Sequence, residues 1–487
     1  MYDLTKHFNY NRKEILRKIN NVLNKGILEL GKEVEQFEKN FSKYCKVKYC
    51  VTVSSGSMAL LLALKSLNLK SKDEVITVAN SDIPTSHAIT LSGAKIRWVD
   101  VEENTFNIDV KEINKNINKN TKVILPVHLF GNPSKMNLIS KIARKHKLKV
   151  IEDACLATGA VCDNKMIGSI SDITVFSTNP GKILDGIGPG GILTTNNKKI
   201  YSKLKKLRDY GRSKRPGKWP VKSEIIGYNS KLSTINAAIL NIRLKYLNWY
   251  IKKRNGNAEL YTHHLKSDKI KFQEIDKGCI SSWRNFPIRV KNRNYIYNEL
   301  YKKKLDIKLN YLPPNHKDTC YSNINKIPKL PITEKICSQI INLPCHPYMA
   351  EKEIIKRSDL IIAIGGDGTM LNCSRTYGSK GIPILGINLG NLGFLTDINP
   401  NDLTANLIKV INGEFKKDSR AFLRASVKGK RQSYLALNEV VIHSGSIAQL
   451  IEFDLYVNRS FVYRQKADGL IISSSTGSTA YSLSGGG

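Results

Sequence analysis

The sequence predicts an α/β protein built on a buried, mostly parallel sheet. Short apolar runs of the kind a sheet covered on both faces requires alternate with longer helical stretches: YCVTVSS (49–55), DEVITVA (73–79), KIRWVDV (95–101), KVILPVHLF (122–130), KVIED (149–153) and DITVFS (172–177). Alternation of this sort excludes all-α and all-β layouts. A length of 487 residues is more than a single core usually covers, so about two to four domains are expected.

Residues 1 to about 50 read as helical, with EILRKINNVLNKGILELGKEVEQFEKNFSKYC (14–45) broken by glycines that bend or end helices. The six strand-like runs follow. After about residue 240 the pattern turns helical, then mixed, and ends in LPITEKICSQIINLPCHPYM (330–349). Near Ser358 a new pattern begins, SDLIIAIGGDGTML (358–371): a strand, a glycine turn holding an aspartate, and a helix start. The expected divisions are therefore 1–240, 241–357 and 358–487, the last with an α/β piece (358–415) and a β-rich piece (416–487). The chain shows no internal repeat and no low-complexity linker.

Hydrophobic residues make up 41% of the chain, and no uninterrupted apolar run reaches the roughly 18 residues of a membrane helix. The N-terminus, MYDLTKHFNYNRKEILRKIN, lacks the apolar core of a secretory signal, so a cytoplasmic location without membrane contact is expected. Nine cysteines, among them Cys45, Cys50, Cys155 and Cys373, form no C-x-x-C pair and no metal-type spacing. Reduced structural thiols and no metal site are expected. A formal charge of +36 would attract nucleic acid or anionic lipid. The lysines, however, are spread through stretches such as KEINKNINKNTK and NRNYIYNELYKKKL, which is the pattern of a solvated basic surface rather than one selected face. Nucleic acid is the lesser reading, and phosphate-bearing small substrates would profit from the same field.

Three short stretches carry candidate chemistry. In VSSGSMALLLALKSL a strand ends in Ser54, Ser55, Gly56 and Ser57 and a helix begins at once; amides at a helix N-terminus with nearby hydroxyls make a phosphate seat, although the same residues serve as ordinary caps. In KVIEDACLATGA, Asp153 stands where a buried strand ends, the usual position for a site residue in an open α/β sheet and also for a helix cap. In DITVFSTNPGKILDGIGPGGILTT a strand ends in Ser177, and Lys182 follows in a loop enclosed by glycine and proline; alone, that lysine reads as merely exposed.

Taken together and in this order, with GKEVEQFEKNF, DEVITVANSDIPTSHAI, VHLFGNP, LRDYGRS, GYNSKLSTINAAIL and LPCHPYM, these stretches resemble the DegT/DnrJ sugar aminotransferases over residues 1 to about 357. The resemblance implies the aspartate aminotransferase fold (fold type I) and pyridoxal 5′-phosphate. It implies that Lys182 binds the cofactor aldehyde and that Asp153 faces the pyridine nitrogen. Ser55, Gly56, Ser57 and Ser177 would hold the phosphate, and Asn229 would reach the phosphate in the partner subunit of a homodimer. Glutamate would be the amino donor and a nucleotide-linked keto sugar the acceptor, for surface polysaccharide or amino-sugar biosynthesis. The chemistry stands on its own: a carboxylate keeps the ring nitrogen protonated, and an amine can move a proton at Cα. Asp82 stands where the family places a stacking aromatic ring, and Leu156 replaces a polar residue near the cofactor hydroxyl. Lys182 is retained, which argues against the members that lost it and perform dehydration.

The GGDGT turn is neither G-x-G-x-x-G nor a Walker sequence. With GINLGNLGFLT, LNEVVIH and KADGLIISSSTGSTAYSLSGGG, it resembles NAD kinase over 358–487. From that resemblance Asp367 would take the proton of the ribose 2′-hydroxyl, and Gly365, Gly366, Gly368 and Thr369 would hold ATP phosphates with Mg²⁺. Asn438 and Glu439 would bind ribose hydroxyls or the nicotinamide end, while Asp468, Thr476, Thr479, Ala480, Tyr481 and Ser484 would line the dinucleotide pocket. Ser475 stands in place of a proline. The strand and helix unit that precedes the turn in such kinases, and a stretch after the serine and glycine segment, are not found; a truncated kinase of weak or no activity, joined by fusion to the aminotransferase, is expected. Three classes follow: a pyridoxal-phosphate transaminase, favoured; a dinucleotide kinase; and a basic binding or regulatory protein on a retired aminotransferase fold.

Overall fold

The computed structural model describes residues 4–212, 221–303, 305–323, 327–349, 360–364, 366–378, 381–387, 398, 406–407, 409–410, 413–427, 433–444 and 450–476. Gly365, Thr479, Ala480, Tyr481 and Ser484 lie outside the described residues. The chain divides into two compact units, Met1–Met349 and Ala350–Gly487. No helix among the described residues is long and apolar enough to cross a membrane.

The first unit opens with α1 (Leu4–Tyr10), α2 (Arg12–Lys25) and α3 (Lys32–Cys45). Gly26 ends α2 in the left-handed region (φ 66°), where its N–H reaches the carbonyls of Val22 and Leu23. Helix α3 buries Val34, Phe37, Phe41 and Cys45, a spacing that keeps one stripe on the core. The main sheet follows: β1 (Tyr49–Val53), α4 (Gly56–Ser66), β2 (Glu74–Val78), α5 (Pro84–Ser92), β3 (Lys95–Val99), α6 (Val110–Asn116), β4 (Thr121–Ile124), α7 (Met136–Lys145), β5 (Lys149–Asp153), the short β6 (Val161–Cys162) and β7 (Lys165–Met166), β8 (Ile173–Ser177), β9 (Gly191–Thr195) and α8 (Lys198–Leu207).

Seven strands run in the order β1-β9-β8-β5-β4-β2-β3. Every pairing is parallel except those of β9, which is antiparallel to both β1 and β8. All six expected runs became strands of this sheet. The seventh, GILTT, lay unrecognised behind its glycines. Because both faces are covered, the strand interiors are apolar throughout: Val51, Val53, Val75, Ile76, Val123, Ile124, Ile151, Ile173 and Val175 are fully buried. Helix α4 buries Leu60, Leu61, Leu62, Ala63 and Leu64 in succession, which marks it as an interior helix.

The unit continues with α9 (Thr234–Leu244), α10 (Leu247–His264), β10 (Ile270–Phe272), β11 (Cys279–Ile280), β12 (Phe286–Val290), α11 (Arg293–Lys302), α12 (Pro331–Gln339) and β13 (Ile340–Leu343). Strands β10-β12-β13 form an antiparallel sheet over its own core of Trp283, Phe286, Ile288, Ile341 and Leu343, while β11 joins β6 and β7. In the second unit β14 (Ile361–Ile364) pairs in parallel with β15 (Ile384–Ile387), and the helix Asp367–Tyr377 lies between them in sequence. Three antiparallel pairs follow: β16 (Leu423–Ser426) with β17 (Ser433–Ala436), β18 (Glu439–His443) with β21 (Gly469–Ser473), and β19 (Ile451–Val457) with β20 (Ser460–Ala467). An α/β piece followed by a strand-rich piece is what the sequence predicted.

Candidate active site

The register of the sheet brings the three candidate stretches of the first unit to one edge. Val53 at the end of β1 and Ser177 at the end of β8 both pair with Gly191, so residues far apart in sequence lie abreast. Asp153 ends β5, the other neighbour of β8, opposite Val175. Carboxyl ends of strands converge here, as ligand sites in open α/β sheets do.

On the β1 side, Ser55 caps α4 by accepting a hydrogen bond from the Met58 N–H at 3.1 Å. Gly56 follows in close quarters: a Cβ there would meet Ser177 Cβ at 2.8 Å, Ser177 Oγ at 3.0 Å and Cys155 Sγ at 3.3 Å. A Cβ on Gly191 would stand 2.2 Å from the Ser55 carbonyl oxygen, so the two chain segments can meet only over glycine. Ser57 is exposed and Ser177 buried. Ser54 donates its N–H to the Ser230 carbonyl oxygen (3.1 Å), and the two hydroxyls lie 2.9 Å apart. This brings the segment that carries Asn229 to the rim. Asn229 itself is exposed and bridges Asp209 through the backbone.

The Asp153 carboxylate is buried and held on both oxygens: the Thr85 hydroxyl donates to one at 2.7 Å, the Cys155 N–H to the other at 3.1 Å. Behind it, His128 and Glu152 form a fully buried pair at 2.9 Å. His128 Nδ1 accepts from the Ser134 N–H (3.0 Å), so its proton sits on Nε2 and is donated to Glu152. Burial is the largest single influence and would raise the Glu152 carboxyl; His128 together with the Ser171 and Thr174 hydroxyls outweighs it, and the net direction is down.

Lys182 is half-buried in a loop that is closed by hydrogen bonds rather than left free. Gly181 N–H donates to Asp185 Oδ2 (2.8 Å), Gly186 N–H to the Thr178 carbonyl (2.9 Å), and Asn236 holds Ile187, Gly188 and Pro189. Burial pushes the Lys182 ammonium below the ordinary lysine value; Arg284 adds to this, while Cys155, Asp82 and Asp153 act against it without cancelling it. Those same groups surround Tyr311, whose hydroxyl burial pushes up, and whose ring stacks on Phe130 at 6.2 Å between centroids. Asp82 is exposed and accepts from the Ile83 N–H; Leu156 is buried, with its carbonyl accepting from Ser282 Oγ at 3.5 Å. Asp153, Lys182, Asp82, Gly56 and Ser177 are thus gathered into one site. Arg284, Tyr311 and Thr85 join it without having been read from the sequence, because they arrive on separate segments and belong to no local motif.

The donor set fits pyridoxal phosphate. A cradle that excludes a Cβ lies beside hydroxyls and a helix N-terminus on one side, and a fixed carboxylate and an amine whose charged form burial disfavours lie on the other.

In the second unit Gly366 precedes the helix, Asp367 and Gly368 open it, and Thr369 N–H returns to the Gly366 carbonyl at 3.0 Å. Asn438 immediately precedes β18, which Glu439 begins, and the Asn438 carbonyl accepts from the Ser474 N–H at 2.7 Å, which brings Thr476 near. Asn438 Oδ1 and Glu439 Oε2 are buried with no hydrogen-bond partner among the described residues. Asp468 precedes Gly469, which pairs with His443 at the other end of that ladder, so the register separates Asp468 from Glu439 by the length of the strand. Among the described residues no group of three or more His, Cys, Asp or Glu is placed to hold a metal.

A model of the DegT/DnrJ/EryC1/StrS aminotransferase family matches residues 9–358. Models of the ATP-NAD kinase N-terminal and C-terminal domains match 323–415 and 437–487, so the first of these overlaps the aminotransferase match. The dTDP-3-amino-3,6-dideoxy-alpha-D-galactopyranose transaminase of Aneurinibacillus thermoaerophilus is 37% identical over 343 residues, 70% of this chain and 93% of that protein. The 3-oxo-glucose-6-phosphate:glutamate aminotransferase of Bacillus subtilis is 33% identical over 359 residues, 70% of this chain and 77% of that protein. The crystal structure of S. venezuelae DesV in complex with a ketimine intermediate superposes with a TM-score of 0.70 at 31% identity, covering 73% of this chain and 95% of that one. With the strand order, the convergent site and these matches in agreement, the chain belongs to the DegT/DnrJ/EryC1/StrS aminotransferase family.

Proposed function

We propose that the first unit moves an amino group from glutamate to a nucleotide-linked keto sugar in the cytoplasm, for surface polysaccharide or amino-sugar biosynthesis. The observation that carries this reading is the pairing of a buried, doubly anchored Asp153 carboxylate with a Lys182 amine whose charge is disfavoured by burial. Bound pyridoxal phosphate supplies the electron sink that lets a proton leave an amino-acid Cα. Asp153 holds a proton on the ring nitrogen, and Thr85 keeps its carboxylate aimed. Lys182 Nζ would bind the cofactor aldehyde and, once displaced by the amino donor, would be the base that carries the Cα proton. Ser55, Gly56, Ser57 and Ser177 seat the phosphate. Asn229, exposed at the rim, reaches across a homodimer to the phosphate held by the partner subunit. Asp82 offers a carboxylate to a substrate amine, and Leu156 lines the ring hydroxyl with an apolar side chain.

Two names among the relatives support the substrates: one is a transaminase of a dTDP-linked sugar, the other uses glutamate with a sugar phosphate. The test is optical. Added pyridoxal phosphate gives a visible absorbance band that glutamate bleaches and that Lys182→Ala lacks; no band in the parent chain rejects the reading. Amination of a 3-oxo hexose phosphate but of no nucleotide-linked keto sugar would replace the acceptor.

A second reading concerns the second unit: ATP-dependent phosphorylation of the NAD 2′-hydroxyl. It is supported by the buried Asn438 Oδ1 and Glu439 Oε2, which are acceptors suited to ribose hydroxyls, and by Asp367 in the first turn of its helix, where it would orient the attacking hydroxyl while Gly366, Gly368 and Thr369 hold ATP with Mg²⁺. Formation of NADP from NAD and ATP that Asp367→Asn abolishes is the expected result; none from the full chain rejects it.

A further inference from the structure

We propose that Cys162 and Cys279 are a thiol–disulfide exchange site, which a low-molecular-weight disulfide converts into an intramolecular disulfide joining β6 to β11. The two residues face each other in the antiparallel register of those strands. Their neighbours make the ladder bond, Asp163 N–H to the Gly278 carbonyl at 3.0 Å, so Cys162 and Cys279 occupy the non-hydrogen-bonded position, where facing side chains approach most closely. Their sulfurs lie 3.0 Å apart. A disulfide needs about 2.05 Å, so closure asks for a shift of about 1 Å in two short strands.

The two thiols differ in a way that assigns roles. Cys279 is half-buried, so it is the reachable sulfur, and its contact with Cys162 lowers its pKa; Cys162 is buried, and the same contact together with burial pushes its thiol up. Cys45, Cys50, Cys337 and Cys345, by contrast, are buried thiols raised by desolvation. The Asp163 carboxylate lies 3.6 Å from Cys162 Sγ, but no group of three or more His, Cys, Asp or Glu among the described residues is placed to hold a metal.

The exchange balances without another reagent. The Cys279 thiolate attacks one sulfur of a small disulfide RSSR and expels RS⁻, which takes up a proton. Cys162 then loses its proton, and its sulfur attacks the Cys279 sulfur of the mixed disulfide, expelling the second thiol. The protein dithiol is oxidised by two electrons and RSSR is reduced to two RSH.

The bond would lie five residues before Arg284 in the chain, on the segment that leads to the site already described. From β11 the chain runs to Ser282, whose N–H donates to the Gly131 carbonyl (3.1 Å), and to Arg284, whose N–H donates to the Phe130 carbonyl (2.8 Å). Closure therefore ties the segment that brings Arg284 toward Lys182 to the β6–β7 hairpin.

The test uses the full chain with pyridoxal phosphate, oxidised glutathione as the disulfide, and peptide mass spectrometry. The expected product joins the Cys162 and Cys279 peptides with loss of two hydrogens and is reversed by reduced glutathione. Cys162→Ser should trap glutathione on Cys279, whereas Cys279→Ser should leave Cys162 unmodified. Serine is close in size and both strands are short, and circular dichroism of each variant confirms that it is folded. A parent chain that keeps both thiols, or that stops at the mixed disulfide, overturns the proposal; modification of Cys162 in Cys279→Ser overturns the assignment of roles. Because the readout is thiol chemistry, it does not depend on transamination.

Discussion

Asp185 and Arg243 form an ion pair with side-chain exposures of 0% and 1%, and it fixes the loop that delivers Lys182. Asp185 takes the Gly181 N–H on one carboxylate oxygen, while Arg243 Nη1 binds the other and also the Asp185 carbonyl oxygen at 2.6 Å. The role proposed for this amine, meeting a cofactor aldehyde and then a substrate Cα, asks for a loop closed in advance, and this pair supplies that constraint from a helix, α9, more than fifty residues away in sequence.

Removing one partner leaves the other charged and buried. Arg243→Leu is expected to cost about 3–5 kcal/mol of stability. Chemical denaturation measures the loss, and the visible pyridoxal-phosphate band should weaken in the same variant. Full stability with a normal band would show that the pair does not hold the loop.

The depressed Lys182 sets a pH dependence with a definite sign. In the unfolded chain the amine titrates near the ordinary lysine value of 10.5; in the cofactor-free folded chain burial moves it lower. Between those two values the unfolded state binds more protons, so folding stability gains with rising pH through that window; below it the folded state carries a buried charge at a cost. Lys182→Met removes this term. The stability advantage of the variant over the parent should be largest near neutral pH and shrink as pH approaches 10.5. An advantage that is flat or grows across that range contradicts the assignment.

How much of this was legible follows from how local each feature is. The six parallel strands were readable because a doubly covered strand must be a short apolar run, and Asp153 and Ser177 because they end such runs. Strand β9 was missed: GILTT carries two threonines and begins at Gly191, which the close approach of Ser55 requires, so its sequence serves a contact rather than a strand pattern. Thr85, Tyr311 and Arg284 reach the site from segments that no periodicity links. Asp185 is a different case. A carboxylate three residues after a lysine in a glycine loop is a local hydrogen-bond signal and could have been found. Cys162 and Cys279, 117 residues apart, are paired only by sheet register.

Gly56 allows a test of the phosphate cradle. An added Cβ would press on Ser177 and Cys155. Overpacking of this kind costs about 1–3 kcal/mol, and here the strain falls on the atoms that line the seat. Gly56→Ala should therefore raise the pyridoxal-phosphate Kd by about tenfold or more, as read by titration of the visible band. Because Ser177 itself is assigned to the phosphate, Ser177→Gly serves as the reference: if the clash is the cause, Gly56→Ala should raise the Kd by a smaller factor in the Ser177→Gly background than in the parent, and an equal factor would place the defect elsewhere.

In the second unit, Glu439 connects stability with ligand binding. Its Oε2 is buried with no hydrogen-bond partner among the described residues. Leaving a buried acceptor unsatisfied costs about 1–3 kcal/mol, a cost that a ribose hydroxyl would relieve on binding. Methionine has similar length and no acceptor. Glu439→Met is thus expected to leave the ligand-free full chain as resistant to pulse proteolysis in urea as the parent, or more so, while ATP-dependent formation of NADP falls away. Lower resistance in the variant would show that the carboxylate already has a donor in the folded chain, and undiminished NADP formation would remove Glu439 from the ribose. Only an inactive variant at least as stable as the parent fits an acceptor held ready for a nucleotide.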